Sequence, residues 1–326
     1  MKKIGLGLIG LGFIGKVHLR NSMKLANAHV LAVSDTSRRA LNEAQTTARI
    51  KKTFVDYKQL LKDDSINAVI IALPTHLHAQ CACDAAEANK HILLEKPIAR
   101  NVAEANEIVA VAERNSVKLM LGYPLRFNRA MGKLREQIKN GSIGDVEVAY
   151  ATFVDSGPFK HRIQDHVPIP VPEWWFNKEL SGGGALIDQG SHMINLLRWY
   201  FGEIIDIKGH LGYRFNMDFE DSALCVAKFD SGTRAVINVG WFSQMYQQKI
   251  EVFGTVRHAS VNNIPPKRLL AAIQMLTMNT TTFYQAYIAE LGHFVNCISN
   301  DAKPFPSGID GLKDLQAIES VYMNPM

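Results

Sequence analysis

Short apolar runs recur along the first 122 residues, and each gives way to a stretch with apolar positions at helical spacing. The runs cover Ile4 to Ile9, Val30 to Val33, 53–55, Asn67 to Leu73, His91 to Leu94 and Val117 to Leu121. Helices are predicted between them: one opening at Gly10–Gly15, then 37–48, 57–62, 75–89 and 102–115. The run from Asn67 to Leu73 is nearly continuous, which marks a parallel strand covered on both faces. Short strands alternating with helices of ten to fifteen residues predict a doubly wound α/β sheet.

From Tyr123 the pattern changes. A helix is predicted over 128–139, stopped by Asn140-Gly141, and Asp145 to Phe153 alternates as a strand. The interval 155–176 holds Pro158, Pro168, Pro170 and Pro172, which suits an ordered excursion better than a helix or central strand. Gly182-Gly183-Gly184 then leads into a helical run from Ala185 to Tyr200. Long alternating stretches follow at 203–214, 222–229, 233–242 and 247–254, with Asp230-Ser231-Gly232 as a hairpin turn. Helical runs at 281–299 and 308–323 flank Pro304-Phe305-Pro306. The expected organisation is a nucleotide-binding domain over 1–122 and an α+β domain over 123–326, the latter built on a large open, mostly antiparallel sheet.

The first thirty-five residues carry the sharpest chemistry. Gly10-Leu11-Gly12-Phe13-Ile14-Gly15 follows one strand and opens a helix, and the next strand ends on Asp35, twenty residues past Gly15. That context is what gives a G-x-G-x-x-G meaning. Gly10 makes the tight turn, Gly12 admits a pyrophosphate and Gly15 packs helix on sheet. The helix N-terminus favours the phosphates, and Asp35 can accept hydrogen bonds from a ribose diol. Asp35 also disfavours the 2′-phosphate of NADP, whereas Thr36, Ser37 and Arg38 are the residue types of a phosphate site. The expected cofactor is NAD, with NADP possible. A glycine-rich turn without a ligand is the structural alternative.

Charge and composition narrow the rest. Lysine and arginine number 36 against 31 acidic residues, a formal charge of +5 with no basic block, so nothing points to nucleic acid. No apolar span reaches the length of a membrane helix. Cys81, Cys83, Cys225 and Cys297 lack zinc spacing and read as buried thiols of a reducing, cytoplasmic compartment. No metal is expected.

Three patches are candidates for the reaction. Lys96, in Glu95-Lys96-Pro97 at a strand's carboxyl end, can donate to a substrate oxygen or form a surface ion pair. Asp188 and His192 lie four apart on one helix face, as a substrate-orienting acid and general base or as a cap and a core histidine. Tyr123, Arg126, His161, His166, Trp174 and Trp175 suit the apolar faces and hydroxyl edges of a sugar, or an interface.

Together, the glycine motif with Val17-His18, Glu95-Lys96-Pro97, Gly183 to His192, Pro304, Pro306 and Asp310-Gly311 resemble the glucose–fructose oxidoreductase, inositol dehydrogenase and MocA family from end to end. The resemblance implies a Rossmann domain and a sheet domain often used for homodimer or homotetramer contacts. It further implies NAD- or NADP-dependent oxidation of a secondary hydroxyl in a sugar or polyol. By the same resemblance Lys96 is the active-site lysine, His192 the proton-transfer residue and Asp188 the substrate-orienting carboxylate. Gly10, Gly12, Phe13, Ile14, Gly15, Asp35, Thr36, Arg38, Glu95 and Lys96 fall on the cofactor side, with Leu73, Pro74, Thr75 and His78 in the loop over the nicotinamide. Tyr123 and Arg126 match the segment after the last Rossmann strand that often faces substrate, while His166, Trp174 and Trp175 are substrate-side candidates by residue type. Where many members place an aspartate three residues beyond the histidine, this chain has Asn195, a change expected to touch specificity before fold. The alternatives are a non-catalytic dinucleotide-binding sensor, marked by a broken Lys–Asp–His set, and a dehydratase or glycosidase-like enzyme that recycles NAD.

Overall fold

The computed structural model describes residues 3–159, 171–262 and 282–326. Six parallel strands form the first sheet: β1 (Ile4–Ile9), β2 (Ala28–Ser34), β3 (Lys52–Phe54), β4 (Ala68–Ile71), β5 (His91–Glu95) and β6 (Leu119–Gly122). Their order is β3-β2-β1-β4-β5-β6, with the reversal at β1 where an open sheet binds nucleotides at its carboxyl edge. β4 is buried along its whole length, as a strand with helices on both faces must be.

The second sheet contains β7 (Val146–Val154), β8 (Ile204–Gly212), β9 (Ser222–Phe229), β10 (Arg234–Gly240), β11 (Gln247–Gly254) and β12 (His258–Asn262), in the order β12-β11-β7-β10-β9-β8. β7 and β10 pair in parallel, and every other neighbouring pair is antiparallel. One face is covered: Ala149, Ala151, Cys225, Ala227, Ile237, Val239, Ile250 and Val252 are buried and alternate with exposed or half-buried positions. β12 has no expected counterpart; His258–Asn262 alternates weakly and pairs only at the sheet's edge.

Contacts divide the chain into two compact units, residues 1–127 with 281–312 and residues 128–280 with 313–326. The expected division at 122/123 therefore differs at the C-terminal end. Helix Thr282–Ser299 joins the first unit because Leu291, Phe294 and Val295 bury themselves in the core cluster of Leu6, Leu8, Ile70 and Leu93. Leu121 also donates its N–H to Pro306, tying the Pro304–Pro306 segment to β6. Helix Gly308–Met323 contributes residues to both units.

All four cysteines are buried and unbridged, and burial pushes the Cys225 thiol up to about 12. Among the described residues no helix is long and apolar enough to cross a membrane.

Candidate active site

In the first unit the glycine turn follows β1. Gly10 has φ +93°, and a side chain there would strike the carbonyl of Ala72. Gly15 sits against the carbonyl of Gly10, which leaves no room for a Cβ between helix and sheet. Gly12 differs: nothing lies within 4 Å of where its Cβ would be. It precedes helix Phe13–Ser22, whose first N–H groups lie outside the intrahelical ladder, and no side chain caps them. Phe13 is 54% exposed beside this opening. An uncapped helix start behind an open glycine is a cradle for an anion, so the residues fit a dinucleotide's pyrophosphate.

Asp35 braces the same turn. Its Oδ2 accepts from Leu11 N at 2.6 Å and its Oδ1 from Ser37 N at 2.7 Å. The Ser37 hydroxyl caps helix Arg38–Thr47 by accepting from Ala40 N, while Thr36 and Arg38 stay exposed.

The loop after β4 is tied to the loop after β5 by His78. Its fully buried ring sets Nδ1 at 2.8 Å from the Pro97 carbonyl and Nε2 at 2.9 Å from the Leu73 carbonyl. Burial lowers its pKa, and a neutral ring donates to one of the two carbonyls at a time. His78 thus acts as a brace that fixes Leu73, Pro74 and Thr75 against Pro97. Glu95 also turns inward. Its Oε1 lies 2.6 Å from His18 Nε2, its Oε2 accepts from Lys96 N at 3.2 Å, and Gly122 leaves space for the carboxylate. Lys96 is half-buried at the end of β5. Tyr123 and Arg126 are both buried, and Arg126 Nη2 pairs with Asp310 at 3.5 Å.

In the second unit, the run expected to be one helix from Ala185 is a π-helical turn over Leu186–Gly190 followed by an α-helix over Ser191–Phe201. The wide turn places Asp188 inside it, a common setting for functional groups. Gly190 permits it, since a Cβ there would press on Leu186. From 185 to 198 every residue is buried except Asp188 and His192, which are partly exposed. His192 sits beside the Phe153 ring at the end of β7, centroids 6.0 Å apart.

The support around this segment was not expected from sequence. Gln189, buried, donates to Asp155 at 2.8 Å and accepts from Gly240 N at 2.9 Å, pinning the turn to the ends of β7 and β10. Asn195 is buried and donates to Asp314. Trp175 packs beside the cluster of Ala185, Phe219 and Trp241, and Trp174 lies against Trp175 with centroids 5.5 Å apart. His161 and His166 lie outside the described residues.

Residues 4–123 match the GFO_IDH_MocA model, described as an oxidoreductase family with an NAD-binding Rossmann fold, and residues 131–259 match the GFO/IDH/MocA C-terminal domain. The chain belongs to the GFO/IDH/MocA oxidoreductase family. Residues 4–123, within the first unit, are the family's NAD-binding Rossmann fold. Among its relatives, the myo-inositol 2-dehydrogenase of Thermotoga maritima is 27% identical, the match covering 94% of this chain and 91% of that protein. The NAD⁺-dependent scyllo-inositol 2-dehydrogenase of Bacillus subtilis is 27% identical, over 96% of this chain and 92% of that one. In fold, the chain is similar to scyllo-inositol dehydrogenase from Lactobacillus casei, solved with NAD(H) and scyllo-inositol. The TM-score is 0.81 at 22% identity, covering 99% of this chain and 96% of that one.

Proposed function

We propose that this member of the family is an NAD-dependent dehydrogenase that oxidises a secondary hydroxyl of a cyclic polyol or sugar. The observation that carries the reading is the pair Asp188 and His192, the partly exposed side chains of an otherwise buried segment. Such placement gives a base access to a substrate while a rigid support fixes its direction. NAD, when bound, supplies the hydride acceptor. His192 takes the proton of the substrate hydroxyl, and the role proposed for Lys96 is to donate to a substrate oxygen as negative charge develops on it. Asp188 accepts a hydrogen bond from the substrate and orients it. Trp174 and Trp175 offer apolar ring surface near the start of the Asp188 turn. The inositol dehydrogenases among the relatives favour a polyol as the substrate class. A panel of inositols, other polyols and aldoses, assayed by the ultraviolet absorbance of reduced nicotinamide, tests the reading. NAD reduction by at least one cyclic polyol or sugar is expected. Tight NAD binding without reduction by any panel member would contradict it.

The same reading includes a homo-oligomer formed through the second sheet. Tyr150, Leu224, Val226 and Phe253 are exposed, and register places Val226, Val236 and Tyr150 in one row across β9, β10 and β7. An apolar row on an open sheet face calls for a partner of its own kind. Val226→Glu is expected to lower the sedimentation mass to that of a monomer; a parent that already sediments as a monomer would refute the oligomer.

A further inference from the structure

The turn that delivers Asp188 and His192 is built around one buried acid from a distant part of the chain. Glu220 lies just before β9 and is 2% exposed. Its Oε1 accepts from Gly184 N at 3.1 Å and from Leu186 N at 2.9 Å, while its main-chain carbonyl accepts from Ala185 N at 3.2 Å. Three successive N–H groups at the start of the segment are thus held by a single residue. These are the groups a helix leaves without partners, and a carboxylate is the side chain that suits them best. Tyr322, from the C-terminal helix, donates its hydroxyl to the same Oε1 at 2.8 Å. Burial and the neighbouring Glu220 keep that hydroxyl protonated, so it acts as a donor.

The glycines before the turn match this arrangement. A Cβ on Gly184 would collide with the Glu220 carbonyl oxygen, and one on Gly183, whose φ is +155°, would collide with the Tyr322 hydroxyl. Asp188 N in turn donates to the Gly184 carbonyl at 3.0 Å. The chain of contacts therefore runs from Glu220 through Gly184 to Asp188, with His192 one turn further on.

We infer that Glu220, braced by Tyr322, is a positioning residue that sets where Asp188 and His192 stand. The inference rests on the assignment of those two residues to the active site. Unlike Gln189, which holds the middle of the turn, Glu220 holds its first peptide units. Shifting them moves everything downstream as one piece.

The test compares Glu220→Ala, Glu220→Gln and Tyr322→Phe in the full chain. The readouts are amide exchange at 184–188 and the His192 ring signal in NMR, identified by its absence from His192→Ala. In Glu220→Ala, exchange should rise by about tenfold or more as the turn opens locally, and the His192 signal should move. NAD affinity, measured by fluorescence, should stay at the parent value. Glu220→Gln retains an acceptor oxygen and should restore both readouts. Tyr322→Phe should move both in the same direction by a smaller amount. Parent-like exchange and an unmoved His192 signal in folded Glu220→Ala would overturn the inference, as would a Gln variant no better than Ala. Should Glu220→Ala fail to fold, parent-like readouts in Tyr322→Phe overturn it instead. Parent turnover in His192→Ala would sink the active-site assignment separately, because none of these readouts depends on turnover.

Discussion

The side-chain amide of Asn195 donates to Asp314 Oδ2 across 2.5 Å, and Arg198 Nη1 donates to the other oxygen of the same carboxylate at 2.6 Å. All three groups are buried, and Arg198 also reaches Glu203 at 2.8 Å. An amide at position 195 lets one carboxylate be fully bonded without a second negative charge beside it. Asn195→Asp would set two buried carboxylates against each other, a repulsion that a low-dielectric site amplifies. Its melting temperature at neutral pH is expected to fall by several degrees in differential scanning calorimetry. An unchanged transition would mean that Arg198 alone neutralises both acids.

Glu290, from helix Thr282–Ser299, is 0% exposed, and its pKa is raised well above the ordinary value by burial and by nearby Glu95. Glu95 in turn is paired with His18. A carboxyl whose folded pKa exceeds its unfolded one holds its proton better in the folded state. Its contribution to stability is therefore present below the unfolded value of about 4.3 and is lost as pH rises through the folded pKa. Glu290→Gln keeps the shape and removes the ionisation. The variant is expected to match the parent in acid and to gain melting temperature over it as pH rises into the neutral range. A constant difference across pH would contradict the assignment.

Much of this architecture was legible in the sequence because its signals are local. Strand lengths, the glycine turn and the Asp230–Gly232 hairpin follow from short-range pattern, and their observed bounds lie within a few residues of the expected ones. The supports of the site were hidden for the opposite reason. Glu220 and Asp314 reach the Gly184–Asn195 segment from more than thirty residues away, Tyr322 supports it through Glu220, and no period or spacing encodes such contacts. The π-turn was missed because its apolar pattern over five residues is indistinguishable from α-helix. The expectation at Asn195 concerns specificity, and its local sequence gives no sign that its amide donates to a buried acid 119 residues on. The resemblance puts Glu95 and His78 on the cofactor side, and their side chains brace the loops that carry Lys96 and Pro74, a support no spacing encodes.

Asp35 is expected to set cofactor choice. Its carboxylate stands at the end of β2 and already fixes Leu11 N and Ser37 N, while the Ser37 hydroxyl is engaged as a helix cap. A carboxylate held this firmly confronts a 2′-phosphate with like charge and leaves a ribose diol a fixed acceptor. The kcat/KM ratio of NAD to NADP should exceed one in the parent and fall in Asp35→Ala. A parent that prefers NADP would transfer the selecting role to Thr36 and Arg38.

Lys96 and His192 are proposed to perform the chemistry, with the glycine turn and Asp35 as the main holders of NAD. The most direct measurement pairs steady-state turnover, on the best substrate from the polyol and sugar panel, with NAD titration by fluorescence in Lys96→Ala and His192→Ala. Each variant should lose about a hundredfold or more in kcat, the usual size of a positioned acid–base contribution, while NAD affinity stays near the parent value. Near-parent turnover in either variant would contradict the account.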